Sequence, residues 1–167
     1  MLGCGDRRRS RSGSPGDEER RLRPPKAGCG YRTLAENRIA LPRAVAHDSG
    51  VPRTVLVVDD TPGFRARARR WLEAEEFTVV AEACDVASAL DAVRAHRPAV
   101  VLLDVQLPDV SGLEVAEQLA GAPGGPAVVL TSTREASDFG DRVARSGARG
   151  FVPKSELSGD AVAALLA

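Results

Sequence analysis

Five polar side chains stand out in this sequence because each directly follows or ends a short apolar run. Asp59 and Asp60 follow VLVV, Asp104 follows VVLL, Thr131 ends VVLT, and Lys154 follows FVP. Brought together, three carboxylates repel one another and resist joint ionisation, and a divalent cation relieves that repulsion. Oxygen ligands with room for water suit Mg²⁺. The set therefore predicts a magnesium site with a hydroxyl and an ammonium beside it.

These groups suit phosphoryl transfer. A carboxylate beside Mg²⁺ can attack a phosphorus atom and become an aspartyl phosphate. The ammonium of Lys154 offers mobile positive charge to phosphate oxygens, and the hydroxyl of Thr131 offers them a hydrogen-bond donor. We therefore expect the carboxylate of Asp104 to stand exposed at a functional edge of the protein.

The apolar patterning predicts the elements that position these groups. Runs rich in β-branched residues predict strands over 54–59, 77–83, 99–104, 126–132 and 150–153. Between and after them, helical spacing predicts five helices. Their inward faces are marked by Phe64, Ala68, Trp71 and Leu72; by Val86, Ala89, Leu90 and Val93; by Leu113, Ala116 and Leu119; by Ala136, Phe139 and Val143; and, within 156–167, by Val162, Leu165 and Leu166. The fourth helix is predicted to end at Ser146-Gly147.

Strict alternation of strands and helices predicts an α/β protein with a five-stranded, doubly wound parallel sheet. Right-handed crossovers place the carboxyl ends of all strands at one edge, where ligands bind in such sheets. Taken singly, each polar group has a plain structural role as a turn residue, a helix cap or a solvated surface charge. Their joint placement at four strand ends favours a functional site.

The amino-terminal segment differs from the rest in composition. Residues 1–53 carry 12 Lys and Arg against 6 Asp and Glu, whereas residues 54–167 carry 11 against 17. The segment is rich in Arg, Gly, Pro and Ser and lacks an apolar period, so burial cannot offset its ordering entropy. We expect a disordered basic extension over 1–52, which a start assigned too far upstream would also explain, and a folded domain over 53–167. With no interleaved aromatic residues, the extension is not expected to bind DNA.

The cysteines and the hydropathy bear on the compartment. Cys4, Cys29 and Cys84 are widely spaced with no CxxC pair, so neither a disulfide framework nor a zinc site is expected. Cys84 is predicted to be a small buried side chain. The amino terminus lacks the apolar core of a signal peptide, and no apolar run is long enough to span a bilayer. The sequence predicts a cytoplasmic protein with no membrane partner.

Four segments, LVVDD, LLDVQLPDVSGLEVA, VVLTS and GARGFVPKSEL, together resemble the receiver domain of two-component response regulators. Receiver domains of that family are CheY-like domains with a flavodoxin-like (βα)5 fold. The resemblance covers residues 53–167 in the family's order. Ser155 follows Lys154 where the family usually has Pro. A serine after this lysine occurs in receivers similar to those of LuxR/NarL-type regulators.

The resemblance implies how the acidic residues act. Asp104 would be the phosphoacceptor, taking a phosphoryl group from the phosphohistidine of a sensor histidine kinase. Asp59, Asp60 and Asp104, with the backbone carbonyl of Gln106, would hold Mg²⁺. Apart from its own phosphorylation and autodephosphorylation, such a protein is not an enzyme.

The resemblance also implies how the signal leaves the site. Thr131 and Lys154 would bind the phosphoryl oxygens, and Phe151 would be the aromatic switch that turns inward as Thr131 moves. The output face would be the fourth helix, fifth strand and fifth helix, which is also the implied homodimer contact. Since the chain stops at Ala167, we expect a stand-alone receiver that signals to a downstream protein by protein–protein contact.

Two other interpretations are open at this point. Haloacid-dehalogenase-type phosphohydrolases also end a strand on a nucleophilic Asp, but they need a second Asp two residues later, where this chain has Gln106. A degenerate receiver, acting as a phosphorylation-independent interaction module, would be expected to have lost part of the acidic set. This chain keeps that set, so phosphorylation-dependent signalling is the leading hypothesis.

Overall fold

The computed structural model describes residues 30–34 and 53–167. Within 53–167, strands and helices alternate as predicted, and a short additional strand lies in 30–34. The strands are β1 (Arg32–Thr33), β2 (Thr54–Val58), β3 (Thr78–Ala83), β4 (Val100–Asp104), β5 (Ala127–Ser132) and β6 (Gly150–Pro153). The helices are α1 (Pro62–Ala74), α2 (Val86–His96), α3 (Gly112–Ala120), a 3₁₀ helix (Ala136–Phe139), α4 (Arg142–Arg145) and α5 (Gly159–Leu166). No helix of the described part is long and apolar enough to cross a membrane.

The strands form one sheet in the order β1-β3-β2-β4-β5-β6. Strands β2 to β6 pair in parallel, which confirms the predicted five-stranded, doubly wound parallel sheet. Strand β1 adds a sixth, antiparallel strand at the β3 edge. Strands β2, β4 and β5 are neighbours in the middle of the sheet, so their carboxyl ends meet at one place.

The sheet has a hydrophobic core on each face. Strand β2 shows the alternation: Leu56 and Val58 face the layer that contains α2 and α3, whereas Val55 and Val57 face α1 and α5. All four side chains are fully buried. Burial on both faces explains why the interiors of the central strands are apolar runs.

Strand β1 corrects the expectation that the whole of 1–52 is disordered. Its backbone pairs with β3, Arg32 opposite Glu82, and the amide of Leu34 donates to the Val80 carbonyl at 3.1 Å. Tyr31 packs edge-on against the ring of His96, with centroids 5.7 Å apart. The two residues of β1 thus obtain their backbone partner from the edge of the sheet at β3. Amino-acid composition does not reveal such pairing. The rest of the predicted extension, 1–29 and 35–52, lies outside the described residues.

The contribution of β1 to stability can be measured with a pair of variants at one position. Leu34→Pro removes both the side chain and the amide that donates to Val80, whereas Leu34→Ala removes only the side chain. We expect the proline variant to have a free energy of unfolding about 1 kcal/mol lower than the alanine variant, the typical net value of one hydrogen bond. Urea denaturation measures the difference. Equal stability of the two variants would show that the pairing contributes nothing.

The predicted fourth helix is broken in the structure. Instead of one helix from Ala136 to Ser146, a 3₁₀ turn and the four-residue α4 flank Gly140, whose φ is +53°. That conformation is open to glycine and interrupts the helical hydrogen-bond ladder. The predicted last helix also starts later, at Gly159, where the Ser158 hydroxyl accepts a hydrogen bond from the Ala161 amide at 3.1 Å.

Two further side chains differ from their predictions. Trp71 was expected on the inner face of α1, but it is 38% exposed and lies under the guanidinium of Arg67; Phe64, Ala68 and Leu72 alone form the buried face. Cys84 is buried as predicted, yet it is disulfide-bonded, which was not expected. Cys84 and Gly30 line the same surface cleft, so the residues next to β1 lie beside this cysteine.

Candidate functional site: an acidic pocket at the carboxyl edge of the sheet

Three carboxylates meet where β2 and β4 end side by side. Asp59 and Asp60 follow β2, Asp104 ends β4, and one oxygen from each lies within 4.8 Å of the others. Asp59 and Asp104 are 0% and 3% exposed, and Asp60 is half-buried. The expectation that Asp104 stands exposed is therefore wrong, because the ammonium of Lys154 lies against its carboxylate. The predicted convergence of the three acids is present.

The local backbone orients both buried carboxylates in the same way. Asp59 Oδ1 accepts the amide of Thr61 at 2.8 Å, and Asp104 Oδ1 accepts the amide of Gln106 at 3.1 Å. Each is an aspartate that caps its own turn two residues on. The turn occupies one oxygen of each carboxylate, so Oδ2 is directed to the shared pocket.

Lys154 bridges the two free oxygens. Its backbone amide donates to the Ser132 carbonyl at 2.8 Å, which ties the end of β6 to the end of β5. Its Nζ donates to Asp104 Oδ2 at 2.8 Å and lies 2.6 Å from Asp59 Oδ2, an ion pair whose angle is poor for a hydrogen bond. The site thus contains two buried carboxylates and one ammonium, with Asp60 alongside, so negative charge is in excess.

The pKa values of Asp104 and Lys154 reflect the excess of negative charge in the pocket. Burial raises the pKa of Asp104, and the nearby charge of Asp59 adds to it; the hydrogen bonds from Lys154 and the Gln106 amide oppose this without cancelling it. Burial by itself lowers the pKa of Lys154, but its hydrogen bond to Asp104 and the negative charges of Asp104 and Asp59 together outweigh this effect and leave the pKa raised. The lysine therefore stays charged while the carboxylates compete for positive charge.

Thr131 completes the edge from β5. It lies opposite Asp104 in the β4–β5 register, is fully buried, and its Oγ1 has no hydrogen-bond partner among the described residues. Leaving a buried hydroxyl unpaired costs free energy. An oxygen-bearing group attached at Asp104 would give this hydroxyl its acceptor.

The acidic residues also fit a small divalent cation. Mg²⁺ binds oxygen ligands at about 2.0–2.1 Å, so opposite ligands are about 4.2 Å apart. The 4.8 Å spread of the Asp59, Asp60 and Asp104 oxygens is only slightly wider than this. The excess negative charge of the three carboxylates would attract the cation. Gln106 lies in the adjoining loop, with its amide on Asp104 and its side-chain oxygen 3.4 Å from the Ser132 hydroxyl.

The loop after β4 is held close beneath Asp104. The Gly112 amide donates to the Val105 carbonyl at 2.9 Å, which folds the loop back at the start of α3. A Cβ at position 112 would lie 2.0 Å from the backbone oxygen of Asp104. Only glycine fits there without displacing the backbone of Asp104.

Comparisons with known proteins show the family to which the chain belongs. The family model described as "Response regulator receiver domain" matches residues 55–165. The chain belongs to this family. The receiver is 34% identical to the signal receiver domain of the response regulator NarL from Mycobacterium tuberculosis, a match that covers 68% of this chain and 92% of that one with a TM-score of 0.61. A LuxR-family response regulator from Aurantimonas is 30% identical over 68% of this chain and 81% of its own, also with a TM-score of 0.61.

Curated relatives are longer than this receiver. The transcriptional regulatory protein PdtaR of Mycobacterium tuberculosis is 30% identical over 71% of this chain and 57% of its own length. The DNA-binding transcriptional activator EvgA of Escherichia coli is 30% identical over 66% of this chain and 54% of its own. The chain spans about half the length of the curated relatives it matches.

The predicted switch residue of the receiver lies beside the broken helix. Phe151 is half-buried in β6, and its ring centroid is 5.9 Å from that of Phe139 at the end of the 3₁₀ helix. Residue 152, its neighbour, pairs with Thr131 in the β5–β6 register. The residues predicted to bind the phosphoryl group and to carry the signal are therefore joined through adjacent strands.

Two residues next to the acidic pocket were not predicted to act there. Arg65 Nη1 donates to the Asp59 carbonyl oxygen at 2.6 Å and its Nε lies 3.6 Å from Glu82, so it ties α1 to the ends of β2 and β3. Phe64 was assigned only to the core, but Lys154 Nζ lies 4.6 Å from its ring centroid. Both residues come shortly after the Asp59-Asp60 pair. This position was the only feature of the sequence that could have indicated that they lie at the pocket.

Proposed function

We propose that this receiver is a phosphorylation-dependent switch of a two-component system, with Asp104 as the phosphoacceptor. The observation that carries the proposal is the pairing of Lys154 Nζ with Asp104 Oδ2 at 2.8 Å, next to the unpartnered buried hydroxyl of Thr131. A nucleophile, a cation and a donor therefore surround the point where a phosphoryl group would be attached. The family membership supports the same assignment.

In the proposed reaction, an oxygen of Asp104 attacks phosphorus, and a P–O bond forms as the P–N bond to the imidazole of a sensor histidine kinase breaks. The released imidazole takes up a proton. Lys154 and Thr131 then contact the phosphoryl oxygens. Asp59, Asp60, Asp104 and the Gln106 carbonyl would hold Mg²⁺, which supplies positive charge against the transferring group.

We further propose that the phosphorylated receiver signals by protein–protein contact through the 3₁₀ helix, α4, β6 and α5. Movement of Thr131 toward the phosphoryl group would pass through its β6 neighbour to Phe151. The half-buried ring of Phe151 then changes its packing against Phe139. The downstream partner, or a second copy of the chain, would recognise the altered face.

Intact-mass spectrometry after incubation with acetyl phosphate tests the function directly. With Mg²⁺ we expect one added phosphoryl group, and with a chelator in place of Mg²⁺ we expect none. Reduction of the acyl phosphate with borohydride converts the modified aspartate to homoserine, which locates it by peptide mass. No adduct under either condition would favour the phosphorylation-independent interaction module, and modification of another aspartate would exclude Asp104 as the acceptor.

The role of Asp60 in metal binding gives a second test. We expect Asp60→Ala to weaken Mg²⁺ binding by about ten-fold or more, because the half-buried carboxylate is one of three that form the pocket. Asp91→Ala removes the same charge from the exposed surface of α2, where Asp91 pairs with Arg94, and serves as the control. Calorimetric titration with Mg²⁺ compares the two. Equal affinities would count against the acidic pocket as the metal site.

A further inference from the structure

The ammonium of Lys154 has a third contact, with an aromatic ring. Phe64 lies at the start of α1, four residues after Asp60, and is 2% exposed. Its ring centroid is 4.6 Å from Lys154 Nζ, within the range of about 6 Å in which a cation is attracted by the ring quadrupole. The lysine side chain is 12% exposed, so the contact is largely shielded from water.

The contact with the Phe64 ring differs from the two ion pairs of Lys154 because a cation bound to the carboxylates would not compete for the ring. Asp59 and Asp104 hold Lys154 through the oxygens that a bound cation would also attract. If those oxygens coordinated a metal ion, they would attract the ammonium less strongly. The face of Phe64 is neutral, so it attracts Lys154 equally well whichever partners the carboxylates have.

We propose that Phe64 is a positioning residue that retains the ammonium of Lys154 in the pocket while the carboxylates engage metal and phosphoryl group. This inference rests on the proposed function of Asp104. Its effect on phosphoryl uptake acts through Lys154: without the ring, the long side chain gains freedom to leave the pocket at the stage when its charge is needed. The ring's contribution therefore appears in the rate of uptake.

The chain contains a matched control for an ordinary core phenylalanine. Phe77 belongs to the same hydrophobic core as Phe64, is 4% exposed, and lies 5.3 Å from the guanidinium of Arg53. It thus has the same burial and the same type of cation contact. It lies just before β3, at the amino end of the parallel strands and away from the acidic pocket.

The test replaces one phenylalanine at a time with mono-, di- and trifluorinated phenylalanine in the full chain. Fluorine withdraws electron density from the ring face and weakens the cation–π attraction with little change in shape. We measure the initial rate of phosphoryl uptake from acetyl phosphate with Mg²⁺ by intact mass. At position 64 we expect the rate to fall stepwise with fluorine number, by about two- to five-fold overall. At position 77 we expect no trend.

A double-mutant cycle separates this contact from general effects on packing. In a Lys154→Ala background the fluorinated series at position 64 should show no trend, because the cation is absent. If the wild-type chain takes up a phosphoryl group on Asp104 and the series at positions 64 and 77 have the same slope, the role of Phe64 is overturned while the proposed function stands. If the wild-type chain takes up no phosphoryl group, both are overturned.

Discussion

Asp104→Ala should abolish phosphoryl uptake from acetyl phosphate. Among the three acids, Asp104 combines a buried carboxylate with an ammonium at 2.8 Å and lies opposite Thr131 in the sheet register. Burial raises the pKa of Asp104, so the ionised carboxylate is more basic than an exposed one and hence a better nucleophile. We expect the adduct in intact-mass spectra to fall at least 100-fold, to the detection limit.

The loss should not come from unfolding. In the Asp104→Ala variant the ammonium of Lys154 keeps the carboxylate of Asp59, 2.6 Å away, so one buried cation still faces one buried anion. Circular dichroism should therefore show a folded protein. Asp109→Ala is the matched control, since Asp109 lies in the exposed loop after β4 and accepts a hydrogen bond from the Val86 amide. Uptake by the Asp104 variant at the wild-type level would refute the assignment.

Lys154→Ala should lower the free energy of unfolding by about 3 kcal/mol when no divalent cation is present. The substitution leaves Asp59 and Asp104 buried together without the ammonium that lies between them. Removing one partner from a buried ionic cluster is costly because the remaining charge has lost its solvation and its counter-charge. Urea denaturation in the presence of a chelator measures this loss.

Added Mg²⁺ should restore much of that stability. In the wild-type chain a bound Mg²⁺ would share the carboxylates with Lys154, whereas in the variant it would be the main source of positive charge. The stabilisation by Mg²⁺ should therefore be larger in Lys154→Ala than in wild type. Arg94→Ala is the control, because Arg94 forms an exposed pair with Asp91 that is worth about 0.5 kcal/mol or less. A smaller Mg²⁺ effect in the lysine variant would contradict this account of the pocket.

The parallel sheet and its acidic edge were predictable because they depend on local patterns. An apolar run such as VVLL followed by Asp104 indicates both a doubly buried strand and its end. The topology of parallel strands then brings those ends together without any knowledge of side-chain packing. That reasoning placed Asp59, Asp104, Thr131 and Lys154 at one edge, where the structure has them.

The features that were missed depend on single residues or on long-range contacts. Strand β1 is two residues long and exists only through the edge of β3, so it has no pattern of its own. One positive φ at Gly140 breaks a helix whose apolar spacing is otherwise regular. The contact of Phe64 with Lys154 joins residues far apart in the chain through the packing of α1, which periodicity does not specify.

The broken helix after β5 also has a consequence for cooperativity. None of the residues in the 3₁₀ helix or in α4 is buried, and each piece is four residues long. Segments with so few buried contacts open locally at a free energy far below that of global unfolding. The backbone amides of 136–145 should thus exchange hydrogen through local opening, while those of β2 and β4 exchange only when the whole domain unfolds. The proposed output face can then be reshaped by small energies without loss of the fold that holds the acidic pocket together.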